Sequence, residues 1–115
     1  MNYLGKHIII ELNGCPADLL SDPILIEKVM NETAKVMGAT IVESRFHHFS
    51  PLGVSGVVVI MESHLTIHTW PEHEYAAVDI FTCGDINMDI RVAFLKEKLG
   101  AEKMEFQLLK RGKLD

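Results

Sequence analysis

The stretch Val54-Ser55-Gly56-Val57-Val58-Val59-Ile60-Met61-Glu62-Ser63-His64-Leu65-Thr66-Ile67-His68-Thr69-Trp70-Pro71 decides the fold. Its first part, Val54 to Met61, is a nearly continuous β-branched run and predicts a buried central strand. Its second part, His64 to Trp70, alternates. Leu65, Ile67 and Thr69 share one face, and His64, Thr66, His68 and Trp70 share the other. Pro71 ends the run.

Working outward, His7 to Leu12 reads as a first strand and Asn13-Gly14-Cys15-Pro16 as a turn. Ser21 or Asp22 caps a helix that has Pro23 in its first turn. Leu25, Ile26, Val29, Met30, Ala34, Val36 and Met37 form its apolar stripe, and Gly38 ends it. Thr40 to Phe49 is a strand, and Ser50-Pro51-Leu52-Gly53 turns the chain. Tyr75 to Thr82 is another strand, followed by Cys83-Gly84-Asp85. Asn87 to Leu99 is a second helix with Val92, Leu95 and Leu99 inward and Gly100 as its stop. Met104, Phe106 and Leu108 alternate in a last strand.

Strands joined by short turns pair antiparallel. The expected fold is therefore α+β: a two-layer α/β sandwich, an antiparallel sheet with two helices on one face. The second sheet face needs cover, and self-association is the simplest way to supply it.

The chain has 115 residues, which suits a single domain spanning 1–115. A cleft shared between two copies would not compete with so small a core. Acidic residues outnumber Lys and Arg by 16 to 11 and no basic run occurs, which excludes nucleic acid as an expected partner. Ile8-Ile9-Ile10 is too short for a signal core or a membrane span, so a cytoplasmic location is expected. Cys15 and Cys83 are expected as free thiols.

Several residues could carry chemistry. Ser63 follows Glu62 and has histidines nearby, the minimum for a nucleophile. No Gly-x-Ser-x-Gly elbow surrounds it, and an ordinary turn serine fits equally well. Cys83 at a strand end could hand a proton to a carbanion, or be a half-buried small hydrophobe. Phe49, Trp70 and Tyr75 are aromatics at strand ends, where packing is the commoner role, and Glu72 is expected in solvent. His64 and His68 have the spacing that suits zinc on a helix, but on a strand their rings stand about 13 Å apart. No metal is expected.

The segments Phe49 to Ile60, Glu62-Ser63-His64-Leu65-Thr66-Ile67-His68-Thr69-Trp70-Pro71-Glu72, Tyr75 to Asp79 and Phe81 to Asp85 closely resemble the short prokaryotic S-adenosylmethionine decarboxylases. The similarity runs from Leu4 to about Arg111. It implies a proenzyme that cuts its own Glu62–Ser63 bond into a β chain of residues 1–62 and an α chain of 63–115. Ser63 becomes a pyruvoyl group, the cofactor, which holds the substrate amine as a Schiff base. The resemblance gives His68 the role of proton acceptor in processing, Ser55 a supporting role in it, and Cys83 that of proton donor in decarboxylation. It assigns substrate binding to Phe49, Trp70 and Glu72. It also implies a homodimer of processed protomers, paired sheet to sheet as αββα, with active sites at the interface.

Residues 63 and 68 differ in parity and so face opposite ways on a strand. The expectation is a sharp bend near Glu62-Ser63-His64, or a bulge that lets His68 reach the ester. A pyruvoyl enzyme acting on arginine or ornithine, and an unprocessed non-catalytic homologue, are the alternatives.

Overall fold

The computed structural model describes residues 2–83 and 88–114. The order is β1 (Tyr3–Asn13), α1 (Ala17–Leu20), α2 (Pro23–Val36), β2 (Ile41–His48), β3 (Val54–Ile60), β4 (Ser63–Trp70), a 3-10 turn (Pro71–His73), β5 (Tyr75–Cys83), α3 (Met88–Lys98) and β6 (Lys103–Lys113). The six strands form one antiparallel sheet in the order β2-β3-β4-β5-β1-β6. The expected α+β architecture is the observed one.

Alternation builds the core. Ile8, Ile10 and Leu12 of β1, Val58 and Ile60 of β3, Leu65 and Ile67 of β4, and Val78 and Ile80 of β5 are buried in one cluster with Ile26, Val29 and Met30 of α2 and Val92 and Leu95 of α3. Cross-strand register lines up Val58, Leu65, Ile80 and Ile8 as a row under the helices. Asp22 caps α2 by accepting from the N–H groups of Ile24 and Leu25, and Pro23 starts the helix.

Three sequence expectations change. A short helix, α1, precedes α2 and buries Leu20. Four residues after Pro16 are too few to show a helical period. Val36 is exposed, because α2 turns it away from the sheet, while Thr33 is buried and donates its hydroxyl to the Val29 carbonyl. Finally, β3 is central but buried on one face only: Val54, Val58 and Ile60 are covered, whereas Val59 is 38% exposed. Asn87, the first residue of the second predicted helix, and Gly84-Asp85 lie outside the described residues.

The face away from the helices carries three cross-strand rows. They are Ser55-His68-Ala77-Glu11-Glu105, Val57-Thr66-Asp79-Ile9-Gln107 and Val59-His64-Phe81-His7-Leu109. Apolar and polar side chains are interleaved on this open face. No helix among the described residues is long and apolar enough to cross a membrane.

Thr69 ties the far end of β4 to its surroundings. Its buried hydroxyl accepts from the Val54 N–H and donates to the Leu20 carbonyl, each at 2.9 Å. Thr69→Val keeps the shape and strands both backbone groups. The expected loss is about 2 kcal/mol in urea unfolding at fixed protein concentration; a loss under about 0.5 kcal/mol would show that the hydroxyl is dispensable.

Candidate active site

Ile60 pairs with Ser63, so Met61 and Glu62 form the tight turn of the β3–β4 hairpin. Glu62 adopts φ 62°, the left-handed region, which costs a residue with a Cβ about 1 kcal/mol. Cys83, at the end of β5, reaches this turn twice. Its backbone N–H donates to Ser63 Oγ at 3.3 Å, and its thiol donates to the Glu62 carbonyl at 3.4 Å. The fold thus gathers Glu62, Ser63 and Cys83 at one end of the β4–β5 pair.

Ser55 and His68 meet at the other end. They are direct cross-strand partners, and Ser55 Oγ lies 2.8 Å from His68 Nδ1. Beside them opens a cavity of about 270 Å3 lined by Phe49, Leu52, Gly53, Ser55, His68, Thr69, Trp70 and Glu72. Phe49 is held over this space by its N–H, which donates to the Gly53 carbonyl at 2.8 Å, and by His47, whose ring meets it edge-on at 4.6 Å. Glu72 sits in the 3-10 turn after Trp70, exposed. The sequence-derived residues therefore fall into two groups, one at each end of β4.

No bulge joins them. The ladder from Ser55↔His68 to Ile60↔Ser63 is unbroken, and the sharp turn at Glu62 lies before the strand rather than within it. Five residues at roughly 3.3 Å each put Ser63 and His68 about 16 Å apart. The expected approach of His68 to Ser63 through a bend or bulge does not occur within one chain. A strand must keep its rise to keep its ladder, and both neighbours of β4 are paired along it.

A further cluster, not singled out from the sequence, occupies the middle of the open face. His7 lies 2.7 Å from Asp79, Thr66 donates to the other Asp79 oxygen, and His64 Nε2 is 3.9 Å from the carboxylate. The ligand atoms of His7, His64 and Asp79 lie within 4.8 Å of one another, a spacing a cation could use. Arg111, however, can only donate, and it sits 3.0 Å from His7 Nδ1. The proton of a neutral His7 is therefore on Nε2 and is given to Asp79. Arg111, His7, Asp79 and Thr66 thus form a hydrogen-bonded relay from β6 to β4, with His64 Nε2 3.9 Å from its carboxylate. The sequence signal was outward parity: His7, His64, Thr66 and Asp79 all face away from the core.

The S-adenosylmethionine decarboxylase family model matches residues 6–112. The chain belongs to the S-adenosylmethionine decarboxylase family. It is 52% identical over 113 residues to a protein of Clostridium kluyveri named S-adenosylmethionine decarboxylase proenzyme, covering 97% of this chain and 90% of that one. It is 54% identical to the Acetivibrio thermocellus protein of the same name, covering 97% and 91%. A crystal structure of the adenosylmethionine decarboxylase of Aquifex aeolicus VF5 superposes with a TM-score of 0.91 at 33% identity, over 100% of this chain and 96% of that one.

The two thiols of this decarboxylase-family chain differ sharply. Cys83 is exposed, whereas Cys15 is fully buried. Burial, and secondarily the Glu74 carboxylate, push the Cys15 thiol up to about 11. At pH 8 a thiol reagent should titrate one cysteine quickly and the second only after denaturation; two fast thiols would contradict the burial of Cys15. The raised value also has a sign. The unfolded thiol ionises near 9.0 and the folded one near 11, so its contribution is complete below pH 9 and is lost as pH rises through about 11. Unfolding profiles should steepen in that window, and Cys15→Ala should shrink the fall.

Proposed function

We infer that this chain is made as a proenzyme, cuts its own Glu62–Ser63 bond and then decarboxylates S-adenosylmethionine. The observation that carries the reading is the pair of Cys83 contacts on Ser63 Oγ and the Glu62 carbonyl. In the first step Ser63 Oγ attacks the Glu62 carbonyl carbon, the C–N bond breaks, and the peptide becomes an ester with a free Ser63 amine. Negative charge builds on the Glu62 oxygen during attack. The Cys83 thiol is the donor aimed at that oxygen, which fits the demand of an oxyanion. The left-handed backbone of Glu62 adds strain that cleavage releases.

A base then removes the α-proton of Ser63, and Glu62 leaves as a carboxylate. The dehydroalanine left behind tautomerises and loses ammonia to water, giving a pyruvoyl group on residue 63. The products are a β chain of residues 1–62 and an α chain of 63–115. The surroundings fit such a group. Among the described residues the Ser63 hydroxyl holds one long hydrogen bond at 3.3 Å, so its consumption disturbs little there. The pyruvoyl carbonyl supplies the electron sink that no ordinary side chain offers. Cys83 keeps a proton beside it to return to the substrate Cα.

His68 is the proposed base, and its distance along β4 makes it the base for a second chain. Two copies pairing sheet to sheet as αββα, antiparallel about a two-fold, would bring the Ser63 end of one β4 over the partner's His68. The same pairing covers Val57, Val59, Ile9 and Phe81. The Ser55 contact holds the His68 ring at Nδ1 and leaves Nε2 for proton transfer. The cavity between Phe49 and Trp70 suits an adenine and a sulfonium, with Glu72 to accept from ribose hydroxyls. The product is an aminopropyl donor for spermidine synthesis in the cytoplasm.

Co-expression tests the shared site. Ser63→Ala and His68→Ala chains should each stay uncleaved alone. Together, the His68→Ala chain should be cut, since its Ser63 meets an intact His68 across the interface. If it remains one uncleaved mass in the mixed dimer, the base is not supplied in trans. In a second measurement, cleaved wild-type protein should release CO2 from S-adenosylmethionine and lose this activity on borohydride treatment. Release from arginine or ornithine but not from the nucleoside would overturn the substrate assignment.

A further inference from the structure

Trp70 ends β4 and is 41% exposed, a position from which an indole would ordinarily swing among rotamers. It is held instead by a chain of contacts across three strands. Tyr75 is its direct cross-strand partner, with ring centroids 5.3 Å apart and planes tilted by 30°. The Tyr75 hydroxyl donates to Glu11 Oε2 at 2.7 Å, a short charge-assisted bond to β1. Burial, then the hydrogen bond and charge of Glu11, push the phenol up to about 12, so it remains a donor across the neutral range. Trp70 lines the cavity with Phe49 and Glu72, and Tyr75 does not. Tyr75 therefore braces the indole from outside the cavity, and the His68 ring lies 6.4 Å from the indole on the same strand.

We propose that Glu11 and Tyr75 form a positioning clamp that fixes Trp70 as one wall of the nucleoside cavity and so sets substrate affinity without touching substrate. The inference rests on the reading of that cavity as the nucleoside site. Two freedoms would return without the clamp: rotation of the indole, and motion of the turn that begins at Pro71 and carries Glu72. Ordering both on binding would cost affinity, because immobilising a side chain costs conformational entropy. The chemistry at Ser63 and Cys83, at the other end of the strand, would not change.

Trp70 is the chain's single tryptophan, so its fluorescence reports on this wall alone. The test uses processed enzyme and the variants Tyr75→Leu, Tyr75→Phe and Glu11→Gln. Tyr75→Leu should raise KM for S-adenosylmethionine about tenfold, equivalent to about 1.4 kcal/mol, with kcat within about twofold. Trp70 should become more mobile by anisotropy and more open to acrylamide. Tyr75→Phe, which keeps the stack and loses the anchor, should show a smaller rise in KM, about threefold. Glu11→Gln keeps an acceptor and should stay near wild type. Tyr75→Phe is the conservative probe should the leucine variant fail to fold. Unchanged KM and unchanged anisotropy in both Tyr75 variants would overturn the clamp, as would a fall in kcat and stability with KM unmoved. The cavity reading is checked separately by titrating wild type with 5′-methylthioadenosine. If Trp70 emission does not respond, the nucleoside binds elsewhere and the clamp falls with that reading. If it responds while the variants behave as wild type, only the clamp fails.

Discussion

The fixed rise of a β-strand is the constraint on which this protein depends. β4 advances about 3.3 Å per residue between two paired neighbours, and neither ladder allows slack along it. Ser63 and His68 are therefore separated by the strand itself. Every account of the site has to begin there, because no side chain can span that gap. The strand behaves as a spacer with one group of functional residues at each end. In the proposed dimer, two such spacers laid antiparallel about a two-fold axis would bring unlike ends together at both ends at once.

The two-layer fold makes the same demand for a different reason. Helices cover one face of the sheet. The other face presents Val57, Val59, Ile9, Phe81 and Leu109 beside the relay of Arg111, His7, Asp79 and Thr66. Apolar area alone would favour any apolar partner. A polar relay buried in an interface adds little affinity and penalises a mismatched register. Within the relay His7, Asp79 and Thr66 already bond one another, which lowers the desolvation cost of covering them. The face is thus suited to one self-complementary pairing more than to general adhesion.

Much of this was legible in the sequence, and the limit has a physical origin. Leu65, Ile67 and Thr69 alternate with His64, Thr66 and His68, and the structure buries the first set and leaves the second on the open face. The spacing of Val92, Leu95 and Leu99 predicts the inner face of the last helix, and all three are buried. Periodicity carries such information because it is local. Distance between residues on one strand is also local, and parity already warned that Ser63 and His68 face opposite ways. The expectation of a bend or bulge tried to reconcile that parity with a single-chain site. Two things were not local: the meeting of Cys83 with Glu62 and Ser63, twenty residues away, and the line from Glu11 through Tyr75 to Trp70. Strand order decides these, and β1 lies beside β5 only because the chain returns to the sheet centre after crossing to its edge.

The division of labour between the two ends follows from their surroundings. At the Glu62 end the backbone is a tight turn with a left-handed glutamate, and the groups around it are an exposed thiol and a weakly bonded hydroxyl. Among the described residues Ser63 Oγ meets only the Cys83 N–H, at 3.3 Å, so it is loosely held. At the Trp70 end the groups are braced: His68 by Ser55, Phe49 by its turn, and the strand by buried Thr69. On the proposed reading, a nucleophile that is consumed once needs freedom to move. A cavity that must receive substrate on every turnover needs walls that stay where they are. Placing these at opposite ends of a rigid strand keeps the strain of the turn away from the cavity.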